Sequence, residues 1–581
     1  MAASEVMERA QRWAEQDIDP QTRDELLQLV RSANIDDVAD RMAGPLAFGT
    51  AGLRGVLGAG SNRMNRAVVA RTTAGLAEHL LRCFTDAARR GVVIGYDARR
   101  MSREFAEQAA QVLTGRGIVT HLFPELATTP QTAYATTALG AVAGVMITAS
   151  HNPPEYNGYK VYWDNGAQII PPHDSEIAAC IDAAGPAKEL PVLSLNQARE
   201  SSLLQDVPPS ITESYLQAVE ALSIHPEGRA GMRIVYTPMH GVGLRTALDV
   251  LRRAGFDNVV PVDKQASPDG EFPTVGFPNP EEPGAMDLAF ATAKETKADL
   301  VLANDPDADR LAVAVPDRDG AGYLQLSGNQ VGVLLAHYLL VHHPKPPADR
   351  LVVTTIVSSP MLGEMARLEG ARYEETLTGF KWIANRAMQV ERDTGATFIT
   401  GYEEALGYTV GTVVRDKDGV SALAVFAEMA AYLRSQGRTV LDELEVMYRK
   451  YGLYVSRQVS RWHRGLGGSE RIAAIMADLR KAAPKRVGGF EVVAVRDYLE
   501  QTRTDRDGGV SALALPKSNV LAFELEGGSR IVARPSGTEP KIKFYVDLRA
   551  TMGGESLAQA EARAADTLDA LAETFVAIAG G

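Results

Sequence analysis

Short apolar runs closed by glycine, proline and polar turns alternate with longer amphipathic stretches through most of the chain, the rhythm of strands and helices in α/β units. Near the start, Asp19 and Pro20 read as an N-cap and first helical residue, with Leu26, Leu27 and Val30 on one face of the helix that follows. Val92, Val93 and Ile94 make a short strand, Ser102 can cap a helix running toward Gly115, and 118–122 form another strand. Residues 142–147 are apolar throughout, as a parallel strand buried on both faces must be. A second unit has strand 234–236, a turn at 238–241, a helix ending near Gly255, and strands at 259–260 and 300–302. A third has strand 351–357, a helix after Pro360 and a strand at 397–399. Beyond it the pattern changes: 520–525, 530–533 and 542–546 read as antiparallel strands before a C-terminal helix from about Leu557. The expected fold class is therefore α/β, with three successive similar α/β domains of mixed sheets and a smaller C-terminal α+β domain. The expected divisions are 1–210, 211–325, 326–450 and 451–581.

A length of 581 residues exceeds what one hydrophobic core organises. The formal net charge of -13 argues against a nucleic-acid binder or an anionic-membrane protein, which need a segregated basic face. Any anionic substrate must be held by local basic groups. Cys83 and Cys180 are the only cysteines, too few for a disulfide framework or a cysteine-rich metal site, and read as ordinary buried thiols. The first residues lack a basic segment followed by an apolar one, and no apolar run approaches membrane-spanning length, so a cytoplasmic location is expected.

Candidate chemistry gathers in loops. The stretch 148–160 begins where the 142–147 strand stops, at the carboxyl end of a sheet, where ligands of α/β folds bind. Asn152, Pro153 and Pro154 neither extend that strand nor start a helix cleanly. Ser150 is thus expected on a stiff turn, its hydroxyl projecting into solvent or onto a ligand, with His151 and Lys160 in the same stretch. Upstream, three glycines in 48–55 free the backbone to approach a ligand beside the fixed positive charge of Arg54.

Asp305, Asp307 and Asp309 stand at alternate positions between apolar strands 300–302 and 311–315. They cannot share a helical face, but in a turn they can converge on a hard cation. An EF-hand would need glycine and glutamate where Arg310 and Pro316 stand. A Mg²⁺ site with open positions for a phosphoryl oxygen is the better reading. The Asp-Gly pairs at 269–270, 319–320 and 418–419 read by contrast as exposed turns. Glu403 and Glu404, between Gly401 and Gly407, can accept from paired sugar hydroxyls, and Lys381 and Trp382 sit beside Gly379. Arg534, Ser536, Gly537 and Thr538 make a phosphate-binding nest, with positive field from Lys541 and Lys543.

In this order and spacing, T-A-S-H-N-P-P-E-Y-N-G-Y-K around Ser150, D-P-D-A-D-R, G-Y-E-E-A-L-G and R-P-S-G-T-E-P resemble the α-D-phosphohexomutases, the family that includes phosphoglucomutase and phosphomannomutase. The resemblance implies four domains around a deep central cleft. It also implies that Ser150 carries a phosphoryl group and that Asp305, Asp307 and Asp309 hold Mg²⁺ against it. Arg54, His151, Lys160 and Arg310 would line the same centre. Glu403 resembles the sugar-hydroxyl contact, Lys381 a specificity-loop residue, and Arg534, Ser536, Gly537 and Thr538 the clamp for the non-reacting phosphate.

The implied reaction interconverts α-D-glucose 1-phosphate and glucose 6-phosphate through a phosphoserine and glucose 1,6-bisphosphate, which also serves as activator. Phosphoryl transfer needs an in-line acceptor and charge stabilisation more than covalent help. Lys160 and His151 are both candidates for the general base. One departure bears on the sugar: many hexose-phosphate mutases have a serine two positions after the sugar-binding glutamate, where this chain has Ala405. Phosphopentomutase is therefore the alternative, followed by phosphomannomutase, a phosphatase or a non-catalytic sugar-phosphate sensor. The expected partners are small sugar phosphates, with no nucleic acid, membrane or obligate protein partner.

Overall fold

The computed structural model describes residues 3–46, 52–320, 322–463, 467–536 and 541–580. The chain forms two compact units, Met1–Leu326 with Ala405–Gln436, and Ser327–Glu404 with Gly437–Gly581. Three successive α/β domains are followed by a sheet-rich C-terminal domain.

The first sheet of the first unit contains β1 (Leu53–Val56), β2 (Val92–Tyr96), β3 (Thr120–Leu122), β4 (Ala143–Ile147), β5 (Tyr156–Trp163) and β6 (Leu204–Asp206), in the order β1-β5-β4-β2-β3-β6. β4, β2, β3 and β6 are mutually parallel, and β2 and β4 are buried at every residue, which is why they carry no polar alternation. β5 runs antiparallel to β4, pairing Tyr159 with Ile147, and β1 runs antiparallel to β5, pairing Arg54 with Gly158. Two stretches expected as loops are thus partly strand, because Leu53, Tyr159 and Val161 are core residues that alternate with polar ones. Lys160 consequently sits on a strand rather than in a turn.

The second sheet contains β7 (Arg233–Thr237), β8 (Asn258–Pro261), β9 (Leu300–Ala303), β10 (Ala312–Pro316) and β11 (Tyr323–Gln325), in the order β11-β10-β9-β7-β8. β7 is parallel to β8 and β9, and β10 is antiparallel to β9 through Ala303 and Ala312. The two sheets share one device. In each, a parallel strand ends and the chain returns beside it in antiparallel, so that the connecting turn stands at the strand's carboxyl end.

In the second unit, β12 (Arg350–Thr355) is parallel to β13 (Arg372–Thr376) and to β14 (Thr397–Glu403). The short strand β15 (Gly407–Val410) and helix Gly419–Ser435 belong to the first unit. The helix is anchored there by Asp418, which caps it through Val420 N and Ser421 N and accepts from Tyr215 Oη at 2.9 Å. Glu428 on the same helix pairs with Arg229 and accepts from Ile224 N at 2.7 Å. Asp418 is therefore fully buried, unlike the exposed turn its Asp-Gly pair predicted; Asp269 and Asp319 are exposed as expected.

The C-terminal sheet comprises β16 (Leu453–Trp462), β17 (Arg486–Val487), β18 (Phe490–Asp497), β19 (Thr502–Asp505), β20 (Val510–Ala512), β21 (Leu521–Leu525), β22 (Arg530–Pro535) and β23 (Lys541–Ala550), all in antiparallel pairs. Helix Leu557–Ile578 carries the buried Phe575, which packs on Phe523 and Phe544 of the sheet. Among the described residues no helix is long and apolar enough to cross a membrane.

Candidate active site

The turn between β4 and β5 holds Ser150 in the left-handed region, at φ 54°, a conformation costly for a residue with a Cβ. Its surroundings enforce it. Ser150 N donates to Thr148 Oγ1 at 2.8 Å, and the Arg99 guanidinium donates to the carbonyls of Ser150 at 2.6 Å and Pro153 at 2.9 Å and to that of Asn152. Asp97 holds that end of β2 in turn, accepting from Ser102 Oγ at 2.6 Å, so Ser102 braces the turn rather than capping its helix, whose N-cap position is Met101. The Ser150 hydroxyl is buried, not projecting into solvent. It donates to Asp305 Oδ2 at 2.8 Å and lies 3.2 Å from His151 Nδ1. Arg54, carried in by β1, donates to Asn152 Oδ1 at 2.9 Å.

The acidic turn between β9 and β10 meets this serine. Asp305, Asp307 and Asp309 are fully buried, and one carboxylate oxygen of each lies within 4.8 Å of the others. Alternate positions converge because the turn is wound tightly: Ala308 has φ 59°, and Asn304 Nδ2 donates to Arg310 O at 2.6 Å. Gly241 and Gly419 let the neighbouring chain close on it, since a Cβ at either would come within 2.3 Å of Pro306 Cα or Arg310 O. Asp307 Oδ2 accepts from Thr129 Oγ1 at 2.6 Å and from Lys160 Nζ at 2.7 Å. Asp309 Oδ2 accepts from Lys160 Nζ at 2.8 Å and also pairs with Lys417 Nζ.

The electrostatics follow from this geometry. Burial, then Asp307 and Asp309, push the Asp305 carboxyl well above the ordinary range. Burial works the same way on Asp309, but Lys160, Lys417 and Arg310 outweigh it and hold that carboxyl far below. Burial opposes the Lys160 ammonium, yet Asp307, Asp309 and Asp416 keep it above the ordinary lysine range. Burial, Arg310 and Arg54 hold the His151 imidazolium well below its ordinary value, which leaves a neutral ring.

Two buried oxygens, Asp307 Oδ1 and Asp309 Oδ1, accept no hydrogen bond among the described residues. Unmet acceptors of this kind are expensive in a dry interior, and three convergent carboxylates form a hard donor set. The group therefore fits a metal ion, and the donor chemistry is that of Mg²⁺ rather than of a thiophilic metal.

Arg54, Ser150, His151, Lys160, Asp305, Asp307, Asp309 and Arg310 thus form one cluster in the first unit. The remaining sequence candidates belong to the second. Glu403 Oε1 accepts from Gly379 N at 2.7 Å, two residues before the buried Lys381, whose Nζ lies 5.6 Å from the Trp382 ring centroid. Arg534 stands next to the end of β22 and, with Glu404 and Glu403, bears on the buried Tyr545 hydroxyl. Ser536 N donates to Lys541 O at 2.8 Å, while Gly537 and Thr538 lie outside the described residues.

Sequence reasoning missed Arg99, Lys417 and Thr129. For Arg99 a signal was present, because Asp97 and Arg99 stand just past the carboxyl end of a wholly apolar strand. Lys417 was hidden between Asp416 and Asp418 in what read as a charged turn. For Thr129, whose partner lies 178 residues away, the sequence offers nothing.

Residues 45–188, 213–320 and 327–451 match the family descriptions "Phosphoglucomutase/phosphomannomutase, alpha/beta/alpha domain" I, II and III respectively. The chain is 39% identical to a protein named "Probable phosphoribomutase" of Schizosaccharomyces pombe, covering 94% of each chain. It is 36% identical to the human phosphopentomutase, covering 97% of this chain and 94% of the other. Against the mouse glucose 1,6-bisphosphate synthase the identity is 36%, covering 97% and 93%. Among solved structures, pp63/parafusin (phosphoglucomutase) from Paramecium matches with a TM-score of 0.67 at 18% identity, covering 92% of this chain and 96% of the other, a likeness of fold.

Proposed function

The chain belongs to the phosphoglucomutase/phosphomannomutase family, and within it we propose that this mutase preferentially moves phosphate between the 1- and 5-positions of a pentose through a phosphorylated Ser150. One observation carries the assignment of the centre: a buried serine hydroxyl, held in a left-handed turn, points at three convergent buried carboxylates.

In this reading the Ser150 Oγ–P bond breaks as a sugar hydroxyl oxygen bonds the phosphorus, which yields a sugar bisphosphate. The proton lost by that hydroxyl ends on Ser150 Oγ. The bisphosphate, turned over, returns its other phosphate to Ser150. His151 is the group placed to exchange that proton, because its neutral ring faces Oγ at 3.2 Å. Lys160 is the weaker candidate of the two: its ammonium is already committed to Asp307 and Asp309. Asp305, Asp307 and Asp309, with Ser150, would hold Mg²⁺, which when bound supplies positive charge to the phosphoryl oxygens. Arg54 and Arg310 add fixed positive charge beside them.

Glu403 is assigned to the sugar hydroxyls, Lys381 to substrate selection, and Arg534, Ser536, Gly537 and Thr538 to the non-reacting phosphate. The three family matches support the first three of the expected domains, 1–210, 211–325 and 326–450; 451–581 is assigned as the phosphate-binding domain.

The pentose preference rests on the names of two relatives similar over nearly their whole length and on Ala405, which cannot offer a hexose the extra hydroxyl contact. Glucose 1-phosphate, the first expectation from the sequence, becomes the second reading, favoured by the glucose 1,6-bisphosphate synthase among the relatives. The test is turnover of ribose 1-phosphate, glucose 1-phosphate and mannose 1-phosphate side by side, with Mg²⁺ and a catalytic amount of the matching bisphosphate. The largest kcat/KM is expected for ribose 1-phosphate. A larger value for glucose 1-phosphate would replace the pentose reading with the second one, and release of inorganic phosphate without isomerised sugar would make the protein a phosphatase.

A further inference from the structure

A second group of metal-ligating side chains lies on the first domain, away from Ser150. Helix Arg66–Cys83 carries His79 and Cys83, four residues apart and so on one face. Helix His173–Ala183 carries His173 and Glu176, three apart on one face of its own. The two helices pack closely, since a Cβ on Gly75 would come within 2.6 Å of Ile181 N.

Three ligand atoms converge there, with the Glu176 carboxylate beside one of them. His79 Nε2 lies 3.1 Å from His173 Nδ1, 3.5 Å from Cys83 Sγ and 3.8 Å from Glu176 Oε2. The ligand atoms of His79, Cys83 and His173 all fall within 4.8 Å of one another. A single ring nitrogen makes one hydrogen bond, so three polar atoms around it exceed what hydrogen bonding alone can satisfy. The distances have another meaning. A tetrahedral zinc site with bonds of about 2.0–2.3 Å has edges of roughly 3.3–3.7 Å, close to the three separations that radiate from His79 Nε2.

The surroundings are those of a metal site. His173 stacks on Trp163, with ring centroids 4.0 Å apart, and His79 tilts against the same ring at 5.6 Å, so both imidazoles are oriented by packing. His79 is buried, whereas Cys83 is exposed at the end of its helix, contrary to the buried thiol expected from the sequence, and Glu176 is half exposed. The group thus has a fixed inner ligand and an open outer side through which an ion can enter. Its mixed nitrogen, sulfur and carboxylate donors contrast with the all-oxygen set of the Asp305 turn and select a different metal.

We propose that His79, Cys83, His173 and Glu176 form a binding site for a borderline-soft divalent transition-metal ion, Zn²⁺ foremost, which cross-links the two helices. It is separate from the catalytic centre and stands whether or not the proposed sugar specificity holds.

The test uses the full chain, stripped with a chelator and kept reduced, and titrated with Zn²⁺ by calorimetry and with Co²⁺ by absorption spectroscopy. Parent protein is expected to give a cobalt–thiolate charge-transfer band and the intense visible bands of a tetrahedral ion. Cys83→Ser, an exposed substitution, should abolish the charge-transfer band. It should also weaken Zn²⁺ binding by more than about ten-fold, since even supporting residues around a metal cost 10–100-fold, while sugar-phosphate turnover is unchanged. Glu176→Gln should weaken binding with the thiolate band retained. Asp305→Asn should leave the band untouched, separating this site from the acidic turn. A Co²⁺ spectrum without a thiolate band, or one that persists in Cys83→Ser, would overturn the proposal.

Discussion

Two buried charge clusters, one in each unit, differ in a way that separates chemistry from architecture. Around Asp547 in the second unit every charge is answered. Arg530 donates twice to Asp547 Oδ2, at 2.7 and 3.2 Å, and once to Ser358 O at 2.5 Å, while Ser456 Oγ donates to Asp547 Oδ1 at 2.6 Å. Glu375 is shared between Arg530 and Arg496, and Glu524 between Arg496 and Arg503. None of these side chains has a buried polar atom without a partner among the described residues. The cluster at Ser150 is not closed in this way: three carboxylates crowd one turn, Asp307 and Asp309 add their repulsion to burial in raising Asp305, whereas Asp547 is raised by burial against the pull of Arg530, and two oxygens go unmet. A closed network fixes a fold, whereas an open one leaves acceptors that a hard cation can meet.

Ser150→Ala should open the widest gap between the clusters. It removes no charge, so the thermal midpoint should stay near that of the parent while mutase turnover falls at least about 10⁴-fold, as for loss of a covalent nucleophile. Retained turnover would remove Ser150 from the mechanism. Asp547→Asn should do the reverse. It leaves the buried Arg530 guanidinium only its share of Glu375 as a carboxylate partner and costs about 3–5 kcal/mol, as breaking a buried pair does, visible as a lower unfolding midpoint in calorimetry. A midpoint equal to the parent's would show that Glu375 alone suffices for Arg530.

Asp305→Asn is the sharper probe of the open cluster. Turnover should fall about 10²–10³-fold, the scale of losing one electrostatic contact to the reacting group. Measured in chelator, its midpoint should match or exceed the parent's, because a carboxyl repelled by two neighbours becomes neutral and its hydrogen-bonding shape is kept. A clear drop in midpoint would make the acidic turn a structural element like the Asp547 network.

The smallest effect is at the rim. Burial raises the Glu524 carboxyl, but Arg496 and Arg503 outweigh it and hold it below the ordinary range. A depressed folded value means that the pairing stabilises the protein above the unfolded glutamate value of about 4.3 and loses that contribution as pH falls through the folded one. Glu524→Gln should therefore cost less than about 1 kcal/mol at neutral pH, since the pair is partly solvated. Parent and variant should converge once the pH has fallen below the depressed folded value, where both side chains are neutral. A difference that persists in acid would mean that packing, not charge, is what the substitution removed.

The fold and the candidate site groups were legible wherever the signal is local. Unbroken apolar runs announced β4 and β9, and the polar residues immediately after each announced Ser150 and the three aspartates, because a strand end and its turn are neighbours in sequence. β5 was harder to see. Its residues lie within the 148–160 stretch that follows β4, and only pairing with β4 and β1 makes them a strand. The Asp-Gly pairs at 269 and 418 look alike, yet one is exposed and the other lies under Tyr215. Thr129 and Lys417 reach the site across 178 and 108 residues, distances over which composition carries no information.

The sequence by itself determined which chemical groups this protein owns, their order, and that they stand at strand ends, since hydrophobic periodicity and turn chemistry act over a few residues. Only the tertiary structure decided which charges are answered and which are left open, that Lys160 is clamped while His151 stays neutral, and that two histidines, a cysteine and a glutamate meet on one surface. Coulomb and hydrogen-bond energies depend on separation and on the exclusion of water, and both come into being when the chain folds.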